Sequence, residues 1–272
     1  MPTAENHGAR IHWQEQGSGT PVLLVMGHRY SSAMWYPLIP ALAEHHRVIW
    51  FDNRGTGGSD TTPKVTVQDF AGDALAVMDA AGVARAHIFG VSMGGVIVQE
   101  IAIEQPGRVI SLIVGCSGVL SADKPRAPAI VRLLYYLPPW ALQVLLRPRR
   151  RGDHGYGSAA PADAVAKDQA MLAKDVSTTR GVLAQAKAMA GYQTTKEAVA
   201  ALTMPSLVLH GDEDATVPFV WGEELAQILP NSRFVKISGA GHNFIVADTP
   251  TTTKAVLEFL AEADRTEAAA AT

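Results

Sequence analysis

A serine stands at the centre of the pentapeptide Gly90-Val91-Ser92-Met93-Gly94, a Gly-x-Ser-x-Gly sequence. A short apolar run with strand character precedes it, and an apolar-rich segment with helical character follows it. A serine on so tight a strand-to-helix turn projects its hydroxyl out of the backbone, and the flanking glycines lack the Cβ atoms that would collide there. The following helix directs unpaired N–H groups and its positive dipole end at the serine. This context predicts a nucleophilic serine.

Two later residues could activate that serine. A serine hydroxyl is a poor nucleophile until a base takes its proton, and the base, usually a histidine, needs an acid to orient it. Asp214 and His242 each follow a predicted strand, which is where parallel sheets place their functional sites. They follow Ser92 in the order Ser, Asp, His, which is the order expected when the nucleophile occupies a strand-to-helix turn.

The elements that would position these residues alternate between strand and helix. After a hairpin over residues 7–16, apolar runs typical of strands buried on both faces alternate with segments of helical periodicity. Besides the strand before Ser92, the predicted strands are 21–26, 47–52, 109–115, 205–210 and 233–237. The predicted helices in this part of the chain are 32–45, 67–81, 219–229 and 251–263, together with the one after Ser92. The alternation predicts an α/β fold, with a parallel sheet covered by helices on both faces.

The alternation stops at about residue 117 and resumes at residue 205. Residues 121–202 contain no strand-like run and are predicted to form helices and loops, including two polar helices within 161–193. We therefore predict that residues 1–120 and 203–265 build one α/β core and that residues 121–202 are a helical insertion. Residues 266–272 are expected to form a flexible tail.

The composition restricts the cellular compartment and the classes of binding partner that we expect. The 272 residues carry a formal net charge of −3, which gives no global field favouring nucleic acid or an anionic membrane. Cys116 is the sole cysteine, so no intrachain disulfide can form. The first residues lack the apolar stretch of a signal peptide, and no apolar run reaches membrane-spanning length. We expect a cytoplasmic protein with a small-molecule substrate; the oligomeric state is not indicated.

Three other features could be mistaken for cofactor or metal sites. The glycine-rich loop 53–60 lacks the third glycine of a dinucleotide-binding pattern, and the chain contains no Gly-Lys pair, which excludes a P-loop. The acidic cluster ending at Asp214 has only His210 nearby, which is a poor metal-ligand set. His45-His46 is expected to be a solvated pair at a helix end. We therefore predict no metal and no cofactor.

Four stretches together resemble one superfamily. They are Asp52-Asn53-Arg54-Gly55-Thr56-Gly57-Gly58-Ser59, Gly90 to Gly95, Leu209-His210-Gly211-Asp212-Glu213-Asp214 with Val217-Pro218, and Gly241-His242. The chain resembles the α/β-hydrolases, in particular the small lidded members: 3-oxoadipate enol-lactonases, cofactor-free haloperoxidase/esterases and carbon–carbon bond hydrolases. The resemblance implies a mostly parallel twisted sheet flanked by helices, with residues 121–202 as an inserted helical lid. The resemblance covers nearly the whole core but not the lid, and its motifs give little information about the substrate.

The resemblance also implies a role for each matching residue. Ser92 matches the nucleophile and His242 the base. Asp214, rather than Asp212, matches the acid, because the acid in this superfamily lies three residues after the glycine that ends the strand, here Gly211. Asp212 is expected to be a solvated loop residue.

The same resemblance places an oxyanion hole, which needs two backbone donors aimed at the developing negative charge. One donor is the N–H of Met93, and the other matches His28 in the loop after the first long strand. Relatives commonly carry His-Gly-x in that loop, whereas this chain has Met26-Gly27-His28. A backbone donor should survive the change.

Candidate substrate-binding residues flank this site. Arg29 could pair with a substrate carboxylate such as a 3-oxoadipate-type lactone would offer; the alternative is an arginine that faces solvent. Tyr135, Tyr136 and Trp140 are candidates to line an apolar pocket under the lid.

The function expected from these residues is hydrolysis of a carboxylic ester or lactone through an acyl-enzyme. Ser rather than Asp at position 92 argues against the dehalogenase and epoxide hydrolase chemistry of relatives that use a carboxylate nucleophile. Carbon–carbon bond hydrolysis of a ring-cleavage product, acyl transfer and perhydrolysis would use the same residues and stay open. A receptor that keeps the fold without turnover is the alternative from a different class.

Overall fold

The computed structural model describes residues 2–123 and 155–270, and within them the strands form one eight-stranded sheet. The spatial order is β1-β2-β4-β3-β5-β6-β7-β8. The strands are β1 Thr3–Asn6, β2 Ala9–Gln16, β3 Pro21–Val25, β4 Arg47–Phe51, β5 Ala86–Val91, β6 Val109–Gly115, β7 Ser206–Gly211 and β8 Ser232–Ile237. Strands β3 to β8 pair in parallel, whereas β1 and β2 join antiparallel at one edge. The sheet is therefore mostly parallel, as predicted.

Helices cover both faces of this sheet. They are α1 Ile39–Ala43, α2 Val67–Ala80, α3 Met93–Glu104, α4 Ala162–Leu172, α5 Thr179–Gly191, α6 Lys196–Ala200, α7 Phe219–Ile228, α8 Phe244–Ala247 and α9 Thr249–Ala270, with 3₁₀ turns at Ser32–Trp35 and Pro106–Arg108. Buried side chains of α2, α3 and α7 pack in one apolar cluster, and those of α1, α8 and α9 pack in a second. Among the described helices, none joins sufficient length to sufficient apolar character to cross a membrane.

Most predicted elements of the core are found with small shifts, but the predicted helix 32–45 is divided into the 3₁₀ turn Ser32–Trp35 and the short helix α1. The hairpin at the sheet edge begins earlier than predicted, because His7 and Gly8 make the turn at φ values of 48° and 75° and Thr3–Asn6 adds a strand before it. The tail predicted from residue 266 is helical as far as the structure describes it, since α9 continues to Ala270. Alanine-rich sequence favours helix, and Arg85 forms an ion pair with Glu267 that holds this end against the core.

The described part of the insertion, residues 155–202, holds α4, α5 and α6 between β6 and β7, and no named strand lies in it. Its chain packs on the glycine-rich loop 53–60. The N–H of Gly57 donates to Val176 O at 2.7 Å, and the N–H of Thr178 donates to Gly55 O at 3.0 Å. A Cβ atom at Gly55 would lie 2.3 Å from the Cα of Gly181. These glycines therefore let core and insertion backbones touch.

Candidate active site

Ser92 forms the turn between β5 and α3 in a strained backbone conformation. Its φ of 55° and ψ of −118° lie outside the regions that L-residues favour, which costs about 1–3 kcal/mol. The flanking glycines are required sterically. A Cβ atom would lie 2.1 Å from Gly94 O if added at Gly90, and 2.0 Å from Val25 O if added at Gly94. The close packing of β5, α3 and β3 thus holds the serine at the carboxyl end of the sheet.

The fold brings Ser92, His242 and Asp214 into one hydrogen-bonded chain. The Ser92 Oγ to His242 Nε2 distance is 3.0 Å, and the His242 Nδ1 to Asp214 Oδ2 distance is 2.7 Å. Because a carboxylate only accepts, the Nδ1–H of a neutral imidazole donates to Asp214, and the Nε2 lone pair accepts the serine hydroxyl hydrogen. This geometry can move a proton from the serine to the histidine.

Asp214 is a buried carboxylate whose two oxygens are both held. Oδ1 accepts the N–H groups of Thr216 and Val217 at 2.7 and 2.9 Å, and Oδ2 also lies 3.2 Å from Nε2 of His210. Burial alone would raise the pKa of Asp214, but the hydrogen bonds from His210 and His242 outweigh it and hold the pKa well below the usual range. The acid is therefore ionised and fixed in direction.

Asp212 lies two residues away in a different environment. It is a surface residue whose Oδ1 accepts the N–H of Gly239 at 2.6 Å and whose Oδ2 lies 3.5 Å from the Lys236 ammonium. The structure brings Asp214 and not Asp212 to the imidazole.

The protonation of His242 depends on opposing effects. Burial lowers its pKa, but the interactions of the ring with Cys116 and with the Asp214 carboxylate raise the pKa overall. Cys116 follows β6 at a φ of 40° and, like His242, faces the same cavity. The sequence alone indicates no role for Cys116 beyond the absence of an intrachain disulfide, because nothing in its local pattern shows that β6 ends beside the histidine.

The loop after β3 approaches Ser92 closely. A Cβ atom at Gly27 would lie 3.2 Å from Ser92 Cβ and 3.2 Å from Val91 O, which is tighter than ordinary van der Waals contact, so a side chain there would crowd the serine. The side chain of the next residue, His28, points away and donates from Nε2 to Val182 O at 2.9 Å; burial lowers its pKa, so the ring stays neutral. Within residues 2–123 and 155–270, the backbone N–H groups of His28 and Met93 bond to no protein acceptor.

Residues of the insertion hold this loop. The N–H of Arg29, which has a φ of 72°, donates to Gln185 Oε1 at 2.8 Å, and the Gln185 amide donates to Arg54 O at 2.9 Å. Gln185 is fully buried. Sequence reasoning did not find Gln185 or Val182, because a buried glutamine in a polar helix gives no local signal of its partner.

A cavity of about 540 Å³ opens at Ser92 and His242. Core and insertion both line it, the insertion through Tyr156, Gln169 and Leu172. This volume suits a small organic substrate. The predicted lining residues Tyr135, Tyr136 and Trp140 lie outside the described residues.

Arg29 lies at the mouth of the cavity. Its side chain is exposed and its guanidinium carbon lies 5.2 Å from the centroid of the Tyr30 ring. Across the described ranges no acidic side chain forms an ion pair with it, so the cation is available to an anionic group in the cavity.

The site offers three side-chain ligand atoms that a metal ion could use. One atom each of Cys116, Asp214 and His242 lie within 4.8 Å of one another. However, both oxygens of Asp214 and both ring nitrogens of His242 already have hydrogen-bond partners. The arrangement therefore fits proton transfer better than metal coordination.

Comparison with known proteins identifies the family of the chain. The pattern of the alpha/beta hydrolase fold family matches residues 20–248. RutD of Azorhizobium caulinodans, a proposed carbamate hydrolase, is 28% identical over 97% of this chain and 100% of its own length. The enol-lactonase of Burkholderia xenovorans LB400 superposes with a TM-score of 0.80 at 25% identity, covering 96% of this chain and 100% of that one. A thermophilic esterase of Thermogutta terrifontis superposes with a TM-score of 0.80 at 27% identity, covering 96% and 97% of the two chains. The chain belongs to the alpha/beta hydrolase fold family.

Proposed function

We propose that this protein hydrolyses a carboxylic ester or lactone with Ser92 as nucleophile, His242 as base and Asp214 as the acid that orients it. The observation that carries the proposal is the chain of short contacts from Ser92 Oγ through His242 to Asp214 Oδ2, at 3.0 and 2.7 Å, beside an open cavity. Relatives named as an enol-lactonase and an esterase support this class of substrate.

The reaction follows from the hydrogen-bond directions. Ser92 Oγ attacks the substrate carbonyl carbon while His242 Nε2 accepts the hydroxyl proton. The tetrahedral intermediate collapses, the bond to the alkoxy oxygen breaks, and the imidazolium returns its proton to that oxygen. Water then attacks the acyl-enzyme with His242 as base, releasing the carboxylic acid and restoring Ser92. In a lactone the alcohol and the acid are parts of one product.

The oxyanion of each tetrahedral intermediate needs fixed donors. We assign the backbone N–H groups of His28 and Met93 to this role. Gly27 packs against Ser92, and α3 begins at Met93 with its positive dipole end toward the serine. Residues 121–202 are proposed to act as a lid, since Tyr156, Gln169 and Leu172 line the same cavity.

The pH dependence of hydrolysis should report the state of His242. An imidazolium cannot accept the Ser92 proton, so kcat/KM falls as the pH falls through the His242 pKa. Because Cys116 and Asp214 raise that pKa overall, we expect the midpoint above about 6.5, the value for a free imidazole. Initial rates on p-nitrophenyl acetate across a pH series measure it. A midpoint at or below the free value would contradict the proposed pairing.

Arg29 is expected to select for substrates that carry a carboxylate. Arg29→Ala should raise KM for a carboxylate-bearing lactone by about tenfold, the equivalent of losing one exposed charge-assisted contact, and leave KM for the matching neutral lactone nearly unchanged. Arg29→Lys is the control that keeps the charge but loses the planar fork. If Arg29→Ala raised KM equally for both lactones, Arg29 would not bind the substrate carboxylate.

The experiment that tests the function is a substrate panel run with active-site labelling. The panel holds p-nitrophenyl esters of rising chain length, a neutral and a carboxylate-bearing lactone, a carbamate and a vinylogous diketone. Labelling of Ser92 by a fluorophosphonate with cleavage of esters or lactones supports the proposal. If Ser92 is labelled but the protein cleaves only the carbamate or only the diketone, the substrate class is that one and not an ester or lactone. The absence of labelling and turnover would favour a binding role.

A further inference from the structure

We propose that Asp168, in helix α4 of the insertion, is a positioning residue that holds the loop carrying His242 in its reactive place. This inference rests on the proposed function. The loop, residues 238–243 and called here the histidine loop, follows β8 and ends at Asn243, directly after the base. Asp168 is fully buried and is not part of the cavity lining.

Three neutral side chains converge on this carboxylate. Asp168 Oδ2 accepts the Asn243 amide at 2.9 Å and the Tyr156 hydroxyl at 2.8 Å, and Oδ1 accepts the Tyr36 hydroxyl at 3.1 Å. Asn243 belongs to the histidine loop, Tyr156 to the start of the insertion and Tyr36 to the core. One side chain therefore ties three separate segments together beside the base.

Backbone contacts reinforce this connection. The N–H of Gly241 donates to Tyr156 O at 2.7 Å, and the N–H of Asn243 donates to Gly155 O at 2.6 Å. Both residues that flank His242 thus bond to the insertion. A Cβ atom at Gly157 would lie 2.3 Å from Gly239 O, so the two backbones are in direct contact. The histidine has no regular strand or helix of its own to fix it, and the insertion supplies that support.

The chemistry of Asp168 favours a positioning role over simple packing. Burying a carboxylate is costly, and where only packing matters an apolar residue of similar volume serves as well or better. Within the described residues no cation forms an ion pair with Asp168. Its oxygens instead set the direction of three donors, one of which is the neighbour of the base. Small displacements of a reacting group can cost a large part of the rate.

The matched control is a second buried tyrosine that ties the insertion to the core elsewhere. Tyr192, after α5, donates its hydroxyl to Glu100 Oε2 of α3 at 2.5 Å. Tyr192→Phe removes a buried hydrogen bond of the same type as Tyr156→Phe, but makes no contact with the histidine loop.

The experiment compares Asp168→Ala, Asp168→Asn, Tyr156→Phe and Tyr192→Phe in the full chain. Rates of fluorophosphonate labelling of Ser92 and of p-nitrophenyl acetate hydrolysis are measured across a pH series, with Tm. We expect Asp168→Ala to lower the labelling rate and kcat by about 10- to 100-fold with little change in KM. Asp168→Asn should stay within roughly threefold of wild type, because its amide oxygen can accept from Asn243 and Tyr156 and its NH₂ can donate to Tyr36.

The pH profile separates positioning from stability. Asp214, Cys116 and Ser92 face the imidazole, and Arg29 and His28 line the same cavity. A loosened histidine loop weakens the pairing of His242 with Asp214, so the acid-side midpoint should move down in Asp168→Ala and, less far, in Tyr156→Phe. Tyr192→Phe should leave the midpoint in place whatever its Tm.

Two results would overturn the inference, and neither is confused with failure of the proposed function. If the wild type is active and Asp168→Ala and Tyr192→Phe show the same loss of kcat and the same acid-side midpoint, the role of Asp168 is merely structural. If Asp168→Ala does not fold, Asn243→Ala breaks the same contact from the loop side, and wild-type kinetics in that variant would overturn the inference. A wild type that neither labels nor hydrolyses would instead refute the proposed function, and this inference with it.

Discussion

Replacing Ser92 by alanine is expected to lower kcat for ester or lactone hydrolysis by about 10⁴- to 10⁶-fold. The substitution removes the hydroxyl oxygen that lies 3.0 Å from His242 Nε2 and so removes the proton that the imidazole would accept. Residual turnover would come from substrate binding and from the two backbone donors alone. The positive φ of Ser92 is unchanged by the loss of Oγ, so the fold should persist. Binding of a substrate or product by Ser92→Ala, measured by calorimetry, should remain.

Ser111→Ala is the control for that experiment. Ser111 is a buried serine of β6 whose hydroxyl lies 2.7 Å from Nδ1 of His87, away from the cavity. Its replacement also removes one buried hydrogen bond, so it tests whether loss of such a bond by itself abolishes activity. We expect reduced stability with kcat near wild type. Full activity in Ser92→Ala would refute the nucleophile assignment, whatever the control shows.

The core, and the meeting of Ser92, Asp214 and His242, could be predicted from the sequence because their signals are local. The glycines at 90 and 94 are needed wherever a strand meets a helix at such close range. Asp214 and His242 each follow an apolar strand, and the parallel sheet brings strand ends together. Backbone geometry therefore carries most of the information about where these three residues meet.

The contacts that support the site could not be predicted, because their signals are not local. Asp168 and Gln185 stand in polar helices where a solvated side chain is the usual expectation, yet both are fully buried. Each bonds to a loop more than 70 residues away in the chain, Asn243 for Asp168 and Arg29 for Gln185. No periodicity within a helix encodes a partner at that separation.

The carboxyl-terminal helix α9 also makes contacts that the sequence does not predict. His46, expected to be solvated, is buried, and its Nε2 lies 3.3 Å from Asp264 Oδ2. His87 Nε2 lies 3.0 Å from the other oxygen of Asp264. His87 thus bonds to Asp264 of α9, and the buried ring of His46 lies beside the same carboxylate. The extra helical length follows from this docking as well as from alanine content, which explains why a tail was predicted where a helix forms.

Asp214→Asn is expected to lower kcat by about 10⁴-fold with little change in KM. An asparagine would fit the space, but its NH₂ cannot accept the Nδ1–H of His242 as the Oδ2 atom does at 2.7 Å. If the amide turns its NH₂ to the ring, the favoured tautomer carries its hydrogen on Nε2, which then faces Ser92 and cannot accept a proton. Since Thr216 and Val217 both donate to Oδ1, the amide oxygen is drawn to that side, and this unproductive arrangement is favoured.

Asp212→Asn makes this prediction selective, because the two aspartates lie two residues apart on the same loop and receive the same substitution. Asp212 accepts from Gly239 N and lies beside Lys236 at the surface, so its replacement should change kcat by less than about twofold, as for an exposed ion pair of low energy. Rates for both variants and wild type on one ester, with circular dichroism to confirm folding, decide the assignment. Loss of activity in Asp212→Asn with retention in Asp214→Asn would reverse it. If both variants lost the same share of kcat, the cause would be disruption of the loop, because of the two aspartates it is Asp214 that contacts the imidazole proposed to accept the serine proton.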